Sequence, residues 1–221
     1  MKKNISIKNI INQMQQKIED LNIKVFHFNF IQVNCYVLYD DTQEAIIIDA
    51  GNFSENEDKE LASFIAEKQL KVKYIVSTHP HIDHVLGNGY CKKAFPSALL
   101  LMHPESLVVY RDNVASGLVF GIHKTDYPEP DEFINEGDVI AFGNQQLEVV
   151  YTPGHCDGSV CLIDHKHNIV FVGDVLFADG IGRTDLPTGN YQLLIDNIKN
   201  KLFSLNDEMV VCSGHGVNTT I

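Results

Sequence analysis

Basic residues are scarce in this sequence. Lysine and arginine together number 17 against 29 aspartates and glutamates, for a formal net charge of -12. Neutralising phosphates takes lysine and arginine, so the balance argues against a nucleic-acid or anionic-membrane surface. Long apolar runs are missing too: nothing approaches the roughly 18 residues of a membrane span. The five cysteines (Cys35, Cys91, Cys156, Cys161, Cys212) are odd in number and scattered, with neither a disulfide framework nor a CxxC zinc pair. The opening residues MKKNISIKNIINQMQQKIED interleave Asn, Lys and Gln with apolar positions. They form no secretory h-region and no small-residue cleavage site follows, so a cytoplasmic protein is expected. No low-complexity tract and no linker rich in Pro, Gly or Ser divides the 221 residues. One large domain is the economical reading.

What is present is an alternation of apolar runs and helical faces. Ile7, Ile10, Ile11, Met14, Ile18 and Leu21 recur at spacings of three and four, one face of a helix. Residues 1–24 are therefore read as an N-terminal helical extension, packed on the body or serving a homodimer contact, and 25–221 as the domain proper. Strands are expected at Val25–Phe30, Cys35–Tyr39, 45-AIIID-49, Val72–Ser77, 98-ALLLM-102, 138-DVIAF-142, 146-QLEVVYT-152, 159-SVCLID-164, 169-IVFVG-173 and 209-MVVCS-213. Ser54 with Glu57 three residues on resembles a capping box opening a helix. Further helices are expected at Asn88–Ala94 and Tyr191–Phe203. Strands alternating with helices argue an α/β protein, sheet inside and helices outside. The stretch from Pro104 to Glu136 reads as irregular and partly helical, and its 127-YPEPDE-132 suits a loop or lid.

The chemistry is concentrated in 78-THPHIDH-84, with three histidines and an aspartate just past a buried strand. His79, His81, Asp83 and His84 are joined by His155 after Pro153-Gly154, Asp174 after Gly173, and His215 after Gly214. Four separate strands thus end in His or Asp. Strand ends are where a rigid scaffold places functional side chains, and glycine lets the backbone turn tightly beside a site. A lone strand-end histidine is usually a hydrogen-bonded surface residue, which is the reading for His27, His103, His165 and His167. Five in matching contexts beside two aspartates are read as metal ligands. Imidazole with carboxylate suits Zn, Fe or Mn. Seven ligands are too many for one tetrahedral ion and the right number for two sharing a bridging carboxylate and a bridging water.

The series 78-THPHIDH-84, 152-TPGH-155, 173-GD-174 and 214-GHG-216, with 34-NCYVL-38 and 47-IIDAG-51, resembles the signature of the metallo-β-lactamase fold superfamily over about residues 24 to 221. The resemblance implies an αβ/βα sandwich, two facing β-sheets with helices on the outer faces and the metals at their common edge. It implies one metal on His79, His81 and His155, a second on Asp83, His84 and His215, and Asp174 bridging. Two Zn²⁺ ions are expected, with iron or manganese as alternatives. Within the superfamily, 173-GDVLFADGIGRTDLPTGN-190 and 214-GHGVNTTI-221 are similar to the small glyoxalase II-like (hydroxyacylglutathione hydrolase-like) hydrolases.

That resemblance implies a small-molecule thioester as partner and attack of a metal-bridging hydroxide on its carbonyl. Asp83 and Asp174 are the catalytic carboxylates. Asp83 would ligate the second metal or orient the hydroxide, and Asp174 would hold the two ions at one spacing. Arg183 and Asp185 read as a structural pair, and Cys156 as a passive thiol. Larger glyoxalase II enzymes grip glutathione with a C-terminal helical domain, and no such domain follows His215. Substrate contacts are therefore expected from Arg111, His123, Lys124 and Tyr127 in the Pro104–Glu136 stretch. The competing readings are a mononuclear-iron persulfide dioxygenase-like oxidoreductase, a lactonase or β-lactamase of the same fold, and a non-catalytic metal-binding protein.

Overall fold

The apolar runs of the sequence bury both of their faces, and this makes a layered molecule. The computed structural model describes residues 15–119 and 121–221. A seven-stranded sheet runs in chain order: β1 (Gln15–Ile18), β2 (Leu21–Phe28), β3 (Val33–Tyr39), β4 (Glu44–Ile48), β5 (Lys71–Val76), β6 (Leu99–Met102) and β7 (Glu132–Phe133). Its first four strands are antiparallel, and β4 to β7 are parallel. A six-stranded sheet has β8 (Val139–Phe142), β9 (Gln145–Tyr151), β10 (Val160–Asp164), β11 (Ile169–Gly173), β14 (Val210–Ser213) and β15 (Thr219–Thr220) side by side. The short ribbon of β12 (Leu176–Phe177) and β13 (Gly180–Ile181) stands apart.

In β4, Ile46 and Ile48 point into the core between the sheets, where Leu147, Val149, Leu162 and Phe171 of the second sheet meet them. Ala45 and Ile47 point the other way, under helices α1 (Glu55–Glu67), α3 (Asn88–Ala94) and α4 (Leu107–Val119), with Leu61, Phe64, Cys91 and Tyr110. The outer face of the second sheet is covered by Leu194 of α5 (Tyr191–Asn197) and by Ile198 and Leu202 of the π-helical turn that continues it. Each such buried aliphatic contributes about 1.5–3 kcal/mol relative to exposure, so period-2 alternation with both faces apolar selects this four-layer αβ/βα arrangement. Helix α1 starts where the sequence says it should. Ser54 Oγ accepts from Glu57 N at 3.3 Å, and Glu57 returns a carboxylate oxygen to Ser54 N at 2.9 Å. The other Glu57 oxygen accepts from Asn29 N at 2.7 Å, tying the helix to the β2–β3 turn.

The N-terminal expectation needs correction. Residues 15–18 and 21–28 form a hairpin, so no helix runs through Ile18 and Leu21, and a domain boundary at residue 24 would cut β2. Leu21, Ile23 and Val25 alternate at strand period, and burying them against the second sheet outweighs the helical spacing upstream. The predicted positions Ile7 to Met14 lie outside the described residues. No helix among the described residues is long and apolar enough to cross a membrane.

At one end, the hairpin turns of the two sheets are joined by polar contacts. Asp20, in the β1–β2 turn, accepts from His167 Nε2 at 2.9 Å and pairs with Lys166 at 2.5 Å, both in the β10–β11 turn. His167 Nδ1 donates to Asp164 at 2.7 Å. Asp40, closing β3, accepts from Asn144 N at 2.6 Å and from Gln145 Nε2 at 3.3 Å. The opposite ends of β5, β9, β11 and β14 are therefore the ones that converge on the functional residues.

Candidate metal centre

Strand β5 delivers its chain to Thr78; His79 follows in a bend and His81 in extended backbone, before the single helical turn α2 (Ile82–Val85) carries Asp83 and His84. β9 leads to His155, β11 to Asp174 and β14 to His215. The seven side chains meet at the common edge of the two sheets. The rings of His79 and His84 have centroids 4.0 Å apart, His81 and His155 4.5 Å, His79 and His155 4.9 Å, and His84 and His215 5.1 Å. Two glycines make room. A Cβ at Gly214 would lie 2.3 Å from Asp174 Oδ1 and 2.7 Å from the His84 ring, and one at Gly173 (φ +49°) would lie 2.3 Å from Thr78 Oγ1.

The imidazoles share an orientation. His84 Nδ1 donates to Asp49 at 2.9 Å, His155 Nδ1 to the Arg183 carbonyl at 2.8 Å, and His215 Nδ1 to the Gln32 carbonyl at 3.3 Å. His79 Nδ1 faces Thr78 Oγ1 at 3.1 Å, and that hydroxyl itself donates to Asp49 at 2.7 Å. The Nδ1 atoms of His79, His84, His155 and His215 are thereby occupied from outside the cluster, and their Nε2 atoms face inward. His79 Nε2, His155 Nε2 and Asp174 Oδ1 are buried without any hydrogen-bond partner. Buried polar atoms are ordinarily satisfied. His84 Nε2 and His215 Nε2 approach to 3.2 Å, with Asp83 Oδ2 3.1 Å from the latter. Two nitrogen lone pairs that close require positive charge between or beside them. Orphaned donors and crowded lone pairs fit divalent cations.

Ligand atoms of His79, His81 and His155 lie within 4.8 Å of one another, and so do those of Asp83, His84 and His215. Asp174 sits between the trios, its Oδ1 3.4 Å from His84 Nε2 and its Oδ2 3.9 Å from His155 Nε2 and 3.7 Å from His215 Nε2. Asp49, His79 and His84 also satisfy that distance limit. Both Asp49 oxygens, however, are already used by Thr78 N at 2.7 Å, Thr78 Oγ1 and His84 Nδ1. Asp49 is an orienting group.

The trios differ electrostatically. Burial, reinforced by neighbouring imidazoles, holds His79 well below the usual histidine range and pulls His81 down to about 4. Burial lowers His155 as well. His84 and His215 go the other way: burial works against their charge, but Asp83 and Asp174 outweigh it and raise both. Burial likewise opposes the charge of Asp83 and Asp174, and the imidazoles more than offset it, so both carboxyls fall below their ordinary value. The first trio resists protonation; in the second, Asp83 and the imidazoles of His84 and His215 favour one another's charged forms.

The remaining expected residues are placed differently. Arg111 lies on the surface, its guanidinium paired with Glu129 at 2.6 and 3.0 Å. Lys124 donates to the Asn52 carbonyl at 3.4 Å and lies 5.8 Å from the Phe53 ring centre. Tyr127 packs edge-on to Tyr110, its hydroxyl buried without a partner. His123 is exposed. Among the described residues, none of these four hydrogen-bonds or ion-pairs with the seven-residue cluster. The stretch touches it through α4: Asn113 Nδ2 donates to the Pro80 carbonyl at 2.8 Å, and Gly117 lies against Ile82. Arg183 pairs with Asp185 at 2.7 and 2.8 Å and offers the site only its carbonyl. Cys156 is fully buried beside Ser159, and its thiol is pushed up to about 12 by burial. Sequence reasoning missed Asp49, Gln32 and Asn29 as supports. Asp49 carried the same strand-end signal as the ligands in 47-IIDAG-51; the other two act locally from a turn and left no signal.

Residues 28–215 match the family model described as the metallo-beta-lactamase superfamily. The chain belongs to that superfamily, whose fold and dinuclear type of His/Asp site it carries. It is 35% identical over 202 residues to hydroxyacylglutathione hydrolase GloC of Haemophilus influenzae, covering 91% of this chain and 93% of that one. Among solved structures it is similar to the B3 metallo-beta-lactamase BLEG-1, with a TM-score of 0.82 at 34% identity over 90% and 93% of the two chains. It is also similar to TTHA1623 in a di-iron-bound form, with a TM-score of 0.79 at 30% identity over 89% and 93%.

Proposed function

We propose that this metallo-hydrolase acts on thioesters, as a glyoxalase II-like enzyme with two divalent ions. The observation that carries the reading is the inward-turned set of five imidazoles and two carboxylates, with His79 Nε2, His155 Nε2 and Asp174 Oδ1 left unpaired in the interior. Near-full-length similarity to a hydroxyacylglutathione hydrolase supports the thioester. His79, His81 and His155 would hold one ion and Asp83, His84 and His215 the other, with Asp174 between the two sets. When bound, such ions polarise a carbonyl and lower the pKa of water to about 7.

The chain's own residues do the rest. Asp49, Thr78, Gln32 and the Arg183 carbonyl engage Nδ1 of His84, His79, His215 and His155 and turn their Nε2 atoms towards the site. Asp83, whose carboxyl His84 and His215 hold below its ordinary value, would help hold the second ion or orient a water bound there. A thiolate leaving group, whose conjugate acid has a pKa of about 8.5, departs without a dedicated general acid. Zinc and iron both suit this donor set.

The test is hydrolysis of S-lactoylglutathione and simple acyl thioesters by protein loaded with zinc, iron or manganese. Activity should appear with at least one metal and be abolished in His79→Ala, whose fold should stay intact because the strands do not depend on the loop. Activity unchanged in His79→Ala, or lactone or β-lactam turnover with no thioester turnover, would refute the reading.

A further inference from the structure

One side of α4 is turned to the ligand loop. Its buried residues are Tyr110, Asn113 and Gly117, spaced three and four apart and so on a single face of the helix. Tyr110 roots that face in the core outside the first sheet. Gly117 lies so close to the loop that a Cβ there would stand 2.8 Å from Ile82 Cδ1. Between them Asn113, 3% exposed, donates from Nδ2 to the Pro80 carbonyl at 2.8 Å. An apolar side chain would pack this helix without the cost of burying an amide, so packing alone does not account for Asn113.

The bond falls on the peptide that joins two ligands. Pro80 stands between His79 and His81, in neither strand nor helix, so no ladder of backbone bonds fixes its carbonyl. The proline ring sets its own φ. The rotation left is ψ, which turns the Pro80–His81 peptide and with it the direction in which His81 leaves the backbone. Asn113 holds the oxygen of that peptide.

His81 depends on such a hold. Nδ1 of His79, His84, His155 and His215 each meets a hydrogen-bond partner. Among the described residues, neither ring nitrogen of His81 has one. Its ring lies 5.0 and 4.5 Å, centre to centre, from those of His79 and His155.

We propose that Asn113 is a positioning residue: through the Pro80 carbonyl it aims His81 into the His79, His81 and His155 trio, the part that bonds to the ring play for the other four imidazoles. This rests on the two-ion reading and names a determinant of its first site.

The experiment reads metal affinity, not turnover. Zinc is titrated into chelator-treated protein against chromophoric chelators of graded affinity, for wild type, Asn113→Leu, His81→Ala, His215→Ala and Asn113→Leu/His81→Ala. The two histidine variants mark which binding step belongs to which trio. Leu keeps the branched outline of Asn and removes its donor; a thermal melt in chelator checks the fold, and Asn113→Ala replaces it if Leu does not fold. Asn113→Leu should weaken the His81-sensitive step about tenfold, the lower end of the loss on removing an orienting partner. The His215-sensitive step should stay within about twofold, and in the His81→Ala background, with no ring left to aim, the same change should cost less than about twofold. An unchanged His81-sensitive step, equal weakening of both steps, or an undiminished loss in the His81→Ala background overturns the proposal. If the wild type binds a single ion, the two-ion reading falls and the same cycle on that ion judges Asn113 alone. If His81→Ala weakens no step, His81 is not a ligand and the proposal falls with it.

Discussion

Replacing Asp49 by Asn should damage the metal centre without removing any residue assigned as a ligand. The carboxylate is 1% exposed and accepts three bonds, from Thr78 N, Thr78 Oγ1 and His84 Nδ1, all at 2.7–2.9 Å. Asn is nearly the same size and tolerates the left-handed backbone here (φ +55°). It has one oxygen and one NH₂. Whichever way the amide turns, its NH₂ confronts a buried donor, either Thr78 N–H or the pair formed by the Thr78 hydroxyl and His84 Nδ1–H. Losing a hydrogen bond to a charged group costs about 1.5–3 kcal/mol. In a chain of this length that lowers Tm by roughly 3–12 °C. The larger consequence is for His84, whose Nε2 is aimed by the Nδ1–Asp49 bond. Removing such an orienting partner typically costs about 10–100-fold in metal affinity or activity. Calorimetric melts in chelator would give the first quantity, and competition with a chromophoric chelator the second. Thr78→Val, which deletes one hydroxyl and keeps the Thr78 N–H bond, should cost only about 1 kcal/mol. If Asp49→Asn melted within about 1 °C of wild type and bound metal within about twofold, Asp49 would not be the orienting group.

Elemental analysis of anaerobically purified protein should find two ions per chain, and a single iron with no second ion would favour the dioxygenase alternative. In chelator-treated protein, the denaturant midpoint should be highest near pH 6.5 and fall towards pH 4. His79, His81 (about 4) and His155 have lowered pKa values, so the unfolded chain takes up their protons first as pH falls below about 6.5. His84 and His215, raised, withdraw stability on the alkaline side as pH climbs through their folded values. A midpoint that rose steadily from pH 6.5 to 4.5 would contradict this assignment of charges. Arg111→Ala should leave KM for an anionic thioester within about twofold, because an exposed pair with Glu129 is worth at most about 1 kcal/mol; a large rise in KM would restore Arg111 to the substrate site.

The seven cluster residues were legible because each follows an apolar strand and carries a side chain that would otherwise have no business there. Uninterrupted apolar runs also placed β4, β5, β10 and β11 to within a residue. The hairpin of β1 and β2 was misread because Ile18 and Leu21 fit a helical spacing as well as a strand's; only the second sheet, far away in sequence, decides between them. The Pro104–Glu136 stretch reads as partly helical, but the bounds of α4 within it are hard to place in advance: Val108, Leu118 and Val119 are exposed while Asn113 is buried. The fate of Arg111 and Lys124 depended on Glu129, Asn52 and Phe53, partners that no spacing rule brings together.

The polar contacts that join the hairpin turns opposite the cluster have a mechanical meaning. Ligand loops of both sheets meet at one margin of the sandwich, while Asp20, His167, Asp40 and Gln145 latch the other margin without metal. The sandwich resembles a book with a permanently sewn spine and a clasp of ions at its open edge. Stripping the metal should therefore loosen amide protection along residues 78–85, 153–156 and 214–216 while the amides of the 164–168 and 143–145 turns exchange as slowly as before. Cutting the spine with Asp20→Ala should do the reverse, and the two defects together should cost more than their sum, because each fastening limits how far the sheets can part when the other is gone.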